Sequence, residues 1–187
     1  MNALAGIALG IWFLVSFASI PLWLPSRRTG QRSGSASTTA LVTVVVILGA
    51  ATCTVAVLAG LAPPLLGRWT WLGLAIAVVA ALLTGGPLTT SLLSLADASS
   101  GSANPRVQRT VLRGGAWIGA LERLTMAASI VGGWSAGIAV IVAVKGLGRY
   151  PDLKAGQGSG AAERFIIGTF ASLGWAAACA GIGLLLV

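Results

Sequence analysis

Residues 114–150 read GGAWIGALERLTMAASIVGGWSAGIAVIVAVKGLGRY, and the threading of everything around this stretch follows from how it is folded. As a single helix its 37 residues would extend about 55 Å at 1.5 Å per residue, far beyond the ~30 Å hydrocarbon core of a bilayer. Something must interrupt it. Gly132-Gly133 lies at its middle, so the stretch is expected to fold as a hairpin with arms over 115–131 and 134–150.

The bilayer enters because of what the rest of the chain lacks. Of 187 residues, 56% are hydrophobic and 9% charged, against about 25% charged in an ordinary soluble domain. Twelve basic and four acidic side chains cannot clothe a protein of this size in water, so the shell must be lipid. The net charge of +8 does not point to nucleic acid, because the basic residues are scattered between long apolar runs rather than gathered in a patch. There is no His, and Cys53 and Cys179 sit inside apolar runs without ligand-like spacing, so no metal centre and no cofactor are expected. The predominance of Arg over Lys, with abundant Ala and Gly, suits a GC-rich bacterial genome.

Scanning for charge-free runs of about 20 residues gives an all-α polytopic bundle, one integral membrane domain with six segments at about 3–24, 40–62, 69–95, 115–131, 134–150 and 163–187. The first has no basic region before it and no small-residue cleavage pattern after it, so it reads as an uncleaved span rather than a signal peptide. The third is interrupted by Gly85-Gly86-Pro87. Proline removes a backbone donor and clashes with the preceding turn, so a kink or break is expected there, with Thr84, Thr89, Thr90 and Ser91 at hand for the freed carbonyls. Between the third and fourth segments, Asn104-Pro105 reads as a helix start for a short element over 105–113. It places Arg106, Arg109 and Arg113 on one face, the pattern of a helix resting on an anionic membrane surface.

Charge asymmetry supports the hairpin. With it, Arg27, Arg28, Arg32, Arg106, Arg109, Arg113, Arg123, Lys145, Arg149, Lys154 and Arg164 all face the cytoplasm, eleven of the twelve basic residues, leaving Arg68 outside. Without it the division is seven against five. The expected location is therefore the bacterial plasma membrane, multi-pass, with both termini outside. Trp23 and Trp117 then fall near the inner boundary and Trp69, Trp71 and Trp134 near the outer one, where amphipathic rings collect. Trp12 and Trp175 fall deeper.

The hairpin also brings charges together. Glu122 lies ten residues before Gly132 and Lys145 twelve after Gly133, about 15 and 18 Å from the turn, so the two can meet across it. If the arms cross, ionisable side chains at that depth are costly and mark functional sites by default; if the hairpin is shallower and re-entrant, they sit close to cytoplasmic water. A structural ion pair between the arms, or side chains snorkelling to the surface, is the competing account. Residues 119–141 also align without gaps onto 160–182, with nine identities in 23 positions including both Glu-Arg pairs and both Gly-Trp pairs. The expected substrate or ion site is therefore Glu122, Arg123, Lys145, Arg149, Glu163 and Arg164, converging between helices.

Three ordered blocks carry a family resemblance: Gly119 with Leu121-Glu122-Arg123, then Lys145 with Arg149-Tyr150, then Ala162-Glu163-Arg164-Phe165-Ile166-Ile167-Gly168-Thr169. Over about residues 115–175 the chain resembles a bacterial integral-membrane family described only as a domain of unknown function. Its signature is G-x-L-E-R, K-x-x-x-R-[FY] and A-E-Y-F-x-I-G-T. The resemblance implies a membrane bundle and no particular activity. Arg164 stands where the family has Tyr, and the first segment lacks the His and Asp that members often place there, so roles needing those residues do not carry over.

Among functions, a transport or permeation component fits the interrupted segments and the charges near the hairpin. Such a role in so small a bundle calls for oligomerisation or another membrane protein, with Gly6 and Gly10, Gly115 and Gly119, or Gly133 and Gly137 as close-packing faces. The alternative is a scaffold or assembly factor binding anionic lipid or a protein partner through cytoplasmic Arg residues. An enzyme is the weaker reading, since no nucleophile motif, P-loop or metal site is present. In a chain freed of Cys53 and Cys179, a Gly156→Cys variant is expected to react with impermeant maleimide from the cytoplasmic side alone; labelling from outside alone would rule the hairpin out.

Overall fold

The computed structural model describes residues 3–18, 34–61, 65, 67–99, 115–155 and 161–187. Six helices follow one another: α1 (Ala3–Ala18), α2 (Gly34–Leu61), α3 (Arg68–Ser99), α4 (Gly115–Val131), α5 (Ser135–Ala155) and α6 (Ala161–Leu185). Two of them, over Trp69–Ala96 and Ala162–Leu185, are long and apolar enough to cross a membrane. The apolar parts of α1 and α2, Ala5–Phe17 and Val46–Val55, are shorter.

The interruption at Gly132-Gly133 is a helix cap built from the backbone alone. Gly133 takes a φ of +67°, which a Cβ would make strained. The Gly133 amide donates to the Ile130 carbonyl at 3.1 Å and the Trp134 amide to the Ser129 carbonyl at 2.8 Å, the paired bonds of a Schellman motif. Trp134 then accepts from the Gly137 amide at 3.1 Å and opens α5. The arms lie close: a Cβ on Gly137 would come within 2.6 Å of the Ser129 hydroxyl and 2.5 Å of the Trp134 ring.

Other boundaries shift for identifiable reasons. The second helix begins at Gly34, six residues ahead of the apolar run, because small polar residues such as Ser35 and Thr38 continue a helix without being hydrophobic. The α5 arm runs on to Ala155 and includes Pro151. Of the first expected segment, α1 accounts for Ala3–Ala18, and residues 19–24 lie outside the described chain. So do Arg27, Arg28 and Arg32, and the expected basic element over 105–113 with Arg106, Arg109 and Arg113. The expected interruption at Gly85-Gly86-Pro87 is not a break: α3 continues through Pro87. Hydroxyls clamp the backbone on both sides, with Thr84 Oγ1 donating to the Ala80 carbonyl at 2.6 Å, Thr89 to Gly85 at 2.7 Å and Thr90 to Pro87 at 3.0 Å.

The two long apolar helices form the centre. Helices α3 and α6 run antiparallel, since Ala77 meets Gly183, Thr84 meets Trp175 and Leu93 meets Gly168. Their seam is made of small side chains, Ala77, Ala80, Ala81, Ala176, Ala180 and Gly183, all buried. Backbones approach closely there, as in helix pairs held by van der Waals packing rather than by expulsion of water. The Leu65 amide donates to the Leu186 carbonyl at 2.7 Å, tying the start of α3 to the end of α6. On one side α1 and α2 pack on α3, and on the other α4 packs on both α3 and α6; α5 packs chiefly against α4. Trp12, 1% exposed, fills the α1 side of this core.

A mainly apolar core includes several polar side chains, and large apolar side chains lie on the surface. Ser16, Thr52, Thr84, Ser91, Ser129, Ser172 and Arg123 are buried, while Phe13, Leu14, Ile47, Leu72, Leu147 and Phe170 are exposed. A Cβ on Gly183 would stand 2.7 Å from the Ala77 methyl, so a Gly183→Leu substitution must push α3 and α6 apart. The expected loss is about 1–3 kcal/mol, read as a lower melting temperature in detergent; unchanged melting would contradict the close seam.

Candidate functional site

Residues 122 and 123 are neighbours on α4, and the helix turns them to different sides. The Glu122 carboxylate meets the Lys145 ammonium of α5 as an ion pair, the two side chains 18% and 15% exposed. That contact across the hairpin is the one the spacing from the glycine turn implied. Arg123 points the other way, into the junction of α3, α4 and α6, where it is 3% exposed.

The Arg123 seat is made by its neighbours. Its Nη1 donates to Ser172 Oγ on α6 at 3.2 Å. Its aliphatic stem lies over Gly85 of α3, where a Cβ would come within 2.5 Å of Cδ and 3.0 Å of Nε. The Trp175 ring borders the same spot, 3.3 Å from that missing Cβ. The ring is held in turn, because Trp175 Nε1 donates to Thr84 Oγ1 at 2.7 Å and Thr84 passes its own proton to the Ala80 carbonyl. Gly85 and Ser172 each lie within three residues of the midpoints of the apolar stretches Trp69–Ala96 and Ala162–Leu185. The guanidinium therefore sits at the half-way level of the apolar stretches of α3 and α6.

Other expected site residues are more peripheral. Arg149 and Glu163 are exposed and Arg164 is half-buried. Glu163 lies in the first turn of α6, where an acid complements the helix dipole. The sequence echo between 119–141 and 160–182 is not a structural repeat. Gly133-Trp134 forms the hairpin turn, whereas the matching Gly174-Trp175 lies within uninterrupted α6. The difference is one residue: Gly132 precedes the first pair and Leu173, a strong helix former, precedes the second.

Four residues of the site are not legible as site residues in the sequence: Thr84, Gly85, Ser172 and Trp175. A signal was present in Trp175 itself, an indole far from either expected boundary that needs a buried acceptor. In two of the three glycine pairs expected as packing faces, one member meets its own chain, Gly119 at Arg123 Nη1 and Gly137 at Trp134, while Gly115 and Gly133 have nothing within 4 Å. Among the described residues no cluster of His, Cys, Asp and Glu gathers that could hold a metal ion. A small apolar cleft between α1 and α3, lined by Phe13, Ser16, Ala75, Ile76 and Val79, carries no charged group.

No family model, curated protein or solved structure matches the chain. For the hairpin pair, a double-mutant cycle with Glu122→Gln and Lys145→Met is expected to give a coupling of about 0.5–3 kcal/mol, each single change destabilising more than the double. Additive losses would show that the ion pair does not hold the arms together.

Proposed function

We propose that the protein is a multi-pass bacterial plasma-membrane protein, threaded six times with both termini outside, that serves the transport or permeation of an anionic solute. The observation that carries this reading is Arg123, 3% exposed and level with the middle of the apolar stretches of α3 and α6. A guanidinium at that depth is costly and marks a solute path or binding site by default. A fixed positive charge near mid-membrane favours anions and opposes cations, as basic residues do in anion pores.

Three further features support the membrane part. The exposed surface is rich in large apolar side chains while hydroxyls and a guanidinium lie inside, which suits hydrocarbon outside and not water. Antiparallel α3 and α6 agree with the opposite directions that the positive-inside count gives them. The exposed rings of Trp71 at the start of α3 and of Trp117 and Trp134 at the ends of α4 sit where interfacial anchors belong. The resemblance to the bacterial membrane family of unknown function is part of the same proposal.

A second reading, a scaffold or assembly factor held on anionic lipid, draws on the exposed Arg149, Tyr150 and Lys154 near the end of α5. Flux separates the two. Purified protein in liposomes is expected to pass chloride, nitrate or inorganic phosphate down a valinomycin-set potential. Arg123→Gln should lower that flux by about tenfold or more, ~1.4 kcal/mol in barrier, and Arg123→Lys should keep part of it. Flux no greater than in empty liposomes, or equal flux in folded Arg123→Gln, would reject the transport reading.

A further inference from the structure

The Glu122–Lys145 ion pair is not fully enclosed by its own chain, and its depth makes the remaining exposure significant. Glu122 precedes Arg123 on α4, so the pair lies at nearly the same level as the guanidinium, half-way along the apolar stretches of α3 and α6. With six membrane segments, on which the following rests, the surroundings there are hydrocarbon. Lipid tails offer no polar partner, and an ion pair left against them keeps a large desolvation penalty. The side that would cover it is the hairpin's own flank. Helix α5 packs chiefly against α4, and on the side of the pair Val142, three residues before Lys145, and Ile118, four before Glu122, are exposed.

We propose that a second copy of this chain covers that flank, in a two-fold dimer formed hairpin to hairpin. The ion pair itself selects the occupant. It presents one positive and one negative group side by side, and rotation about a two-fold axis sets each Lys145 against the second copy's Glu122. A pair of opposite charges is complementary to itself in this arrangement, as an isologous interface requires. Four charges then form a closed, neutral square in place of two dipoles facing lipid. Next to Lys145 the surface permits close approach, because nothing lies within 4 Å of the position where a Gly146 Cβ would stand. Gly119 and Gly137, by contrast, are already filled from within the chain.

The test is oxidative cross-linking of the full-length protein in native membranes, in a background with Cys53→Ser and Cys179→Ala. Gly146→Cys is expected to convert most of the monomer to a disulfide-linked dimer with copper phenanthroline. Phe170→Cys, an exposed position on α6, should remain monomeric. Adding Lys145→Glu to Gly146→Cys should abolish the product by setting like charges together, and adding Glu122→Lys as well should restore it, since the exchanged pair is again self-complementary. Membrane-retained protein in which Gly146→Cys cross-links no better than Phe170→Cys overturns the dimer and leaves the membrane reading standing. Release of the protein by alkaline carbonate overturns both.

Discussion

The least forgiving constraint in this molecule is the seat of one guanidinium. Arginine has no neutral form to retreat to at ordinary pH, so Arg123, once inside the junction of α3, α4 and α6, must be accommodated as a cation. Three features of its neighbours do this. Gly85 gives up a side chain so that the arginine stem can lie against the α3 backbone. Ser172 supplies an acceptor. Trp175 closes the spot and is itself fixed through Thr84. These residues hold Arg123 or one another, which places polar groups in the middle of helices whose surrounding core is apolar.

That arrangement separates two kinds of work within one helix turn of α4. The face carrying Arg123, Met126 and Ala127 is buried in the bundle, where position is fixed by packing. The neighbouring face, carrying Glu122, holds α5 through Lys145. The hairpin is thus anchored through α4 and extends outward through α5. A change at Glu122 alters how α5 is held, whereas a change at Arg123 alters how α3, α4 and α6 meet.

Much of the fold was legible because hydrocarbon and glycine leave strong marks. Apolar runs located all six helices, and Gly132-Gly133 located the turn, since the backbone there needs a conformation that a Cβ resists. Spacing from that turn brought Glu122 to Lys145. At Pro87, where a kink or break was expected, α3 continues, with three threonine hydroxyls bonded to carbonyls around it. The partition of Glu122 from Arg123 was illegible in another way. Adjacent residues on a helix differ by about 100° in direction, so only knowing which neighbour lies on which side decides where each points. The internal echo does not extend to the turn, because Gly-Trp stands in a turn at 133–134 and inside continuous α6 at 174–175.

The hairpin closes its own backbone at Gly133 and pairs Glu122 with Lys145 within itself, so much of it needs no other part of the chain. Arg123 reaches beyond the hairpin, because the Ser172 hydroxyl to which it donates lies on α6, which follows it in the chain. During synthesis the hairpin can therefore pair Glu122 with Lys145 as soon as α5 has emerged, whereas the bond from Arg123 to Ser172 waits for α6. The last helix acts as a key that locks the earlier ones. A chain truncated before Ser172 would lack the α6 part of the Arg123 seat.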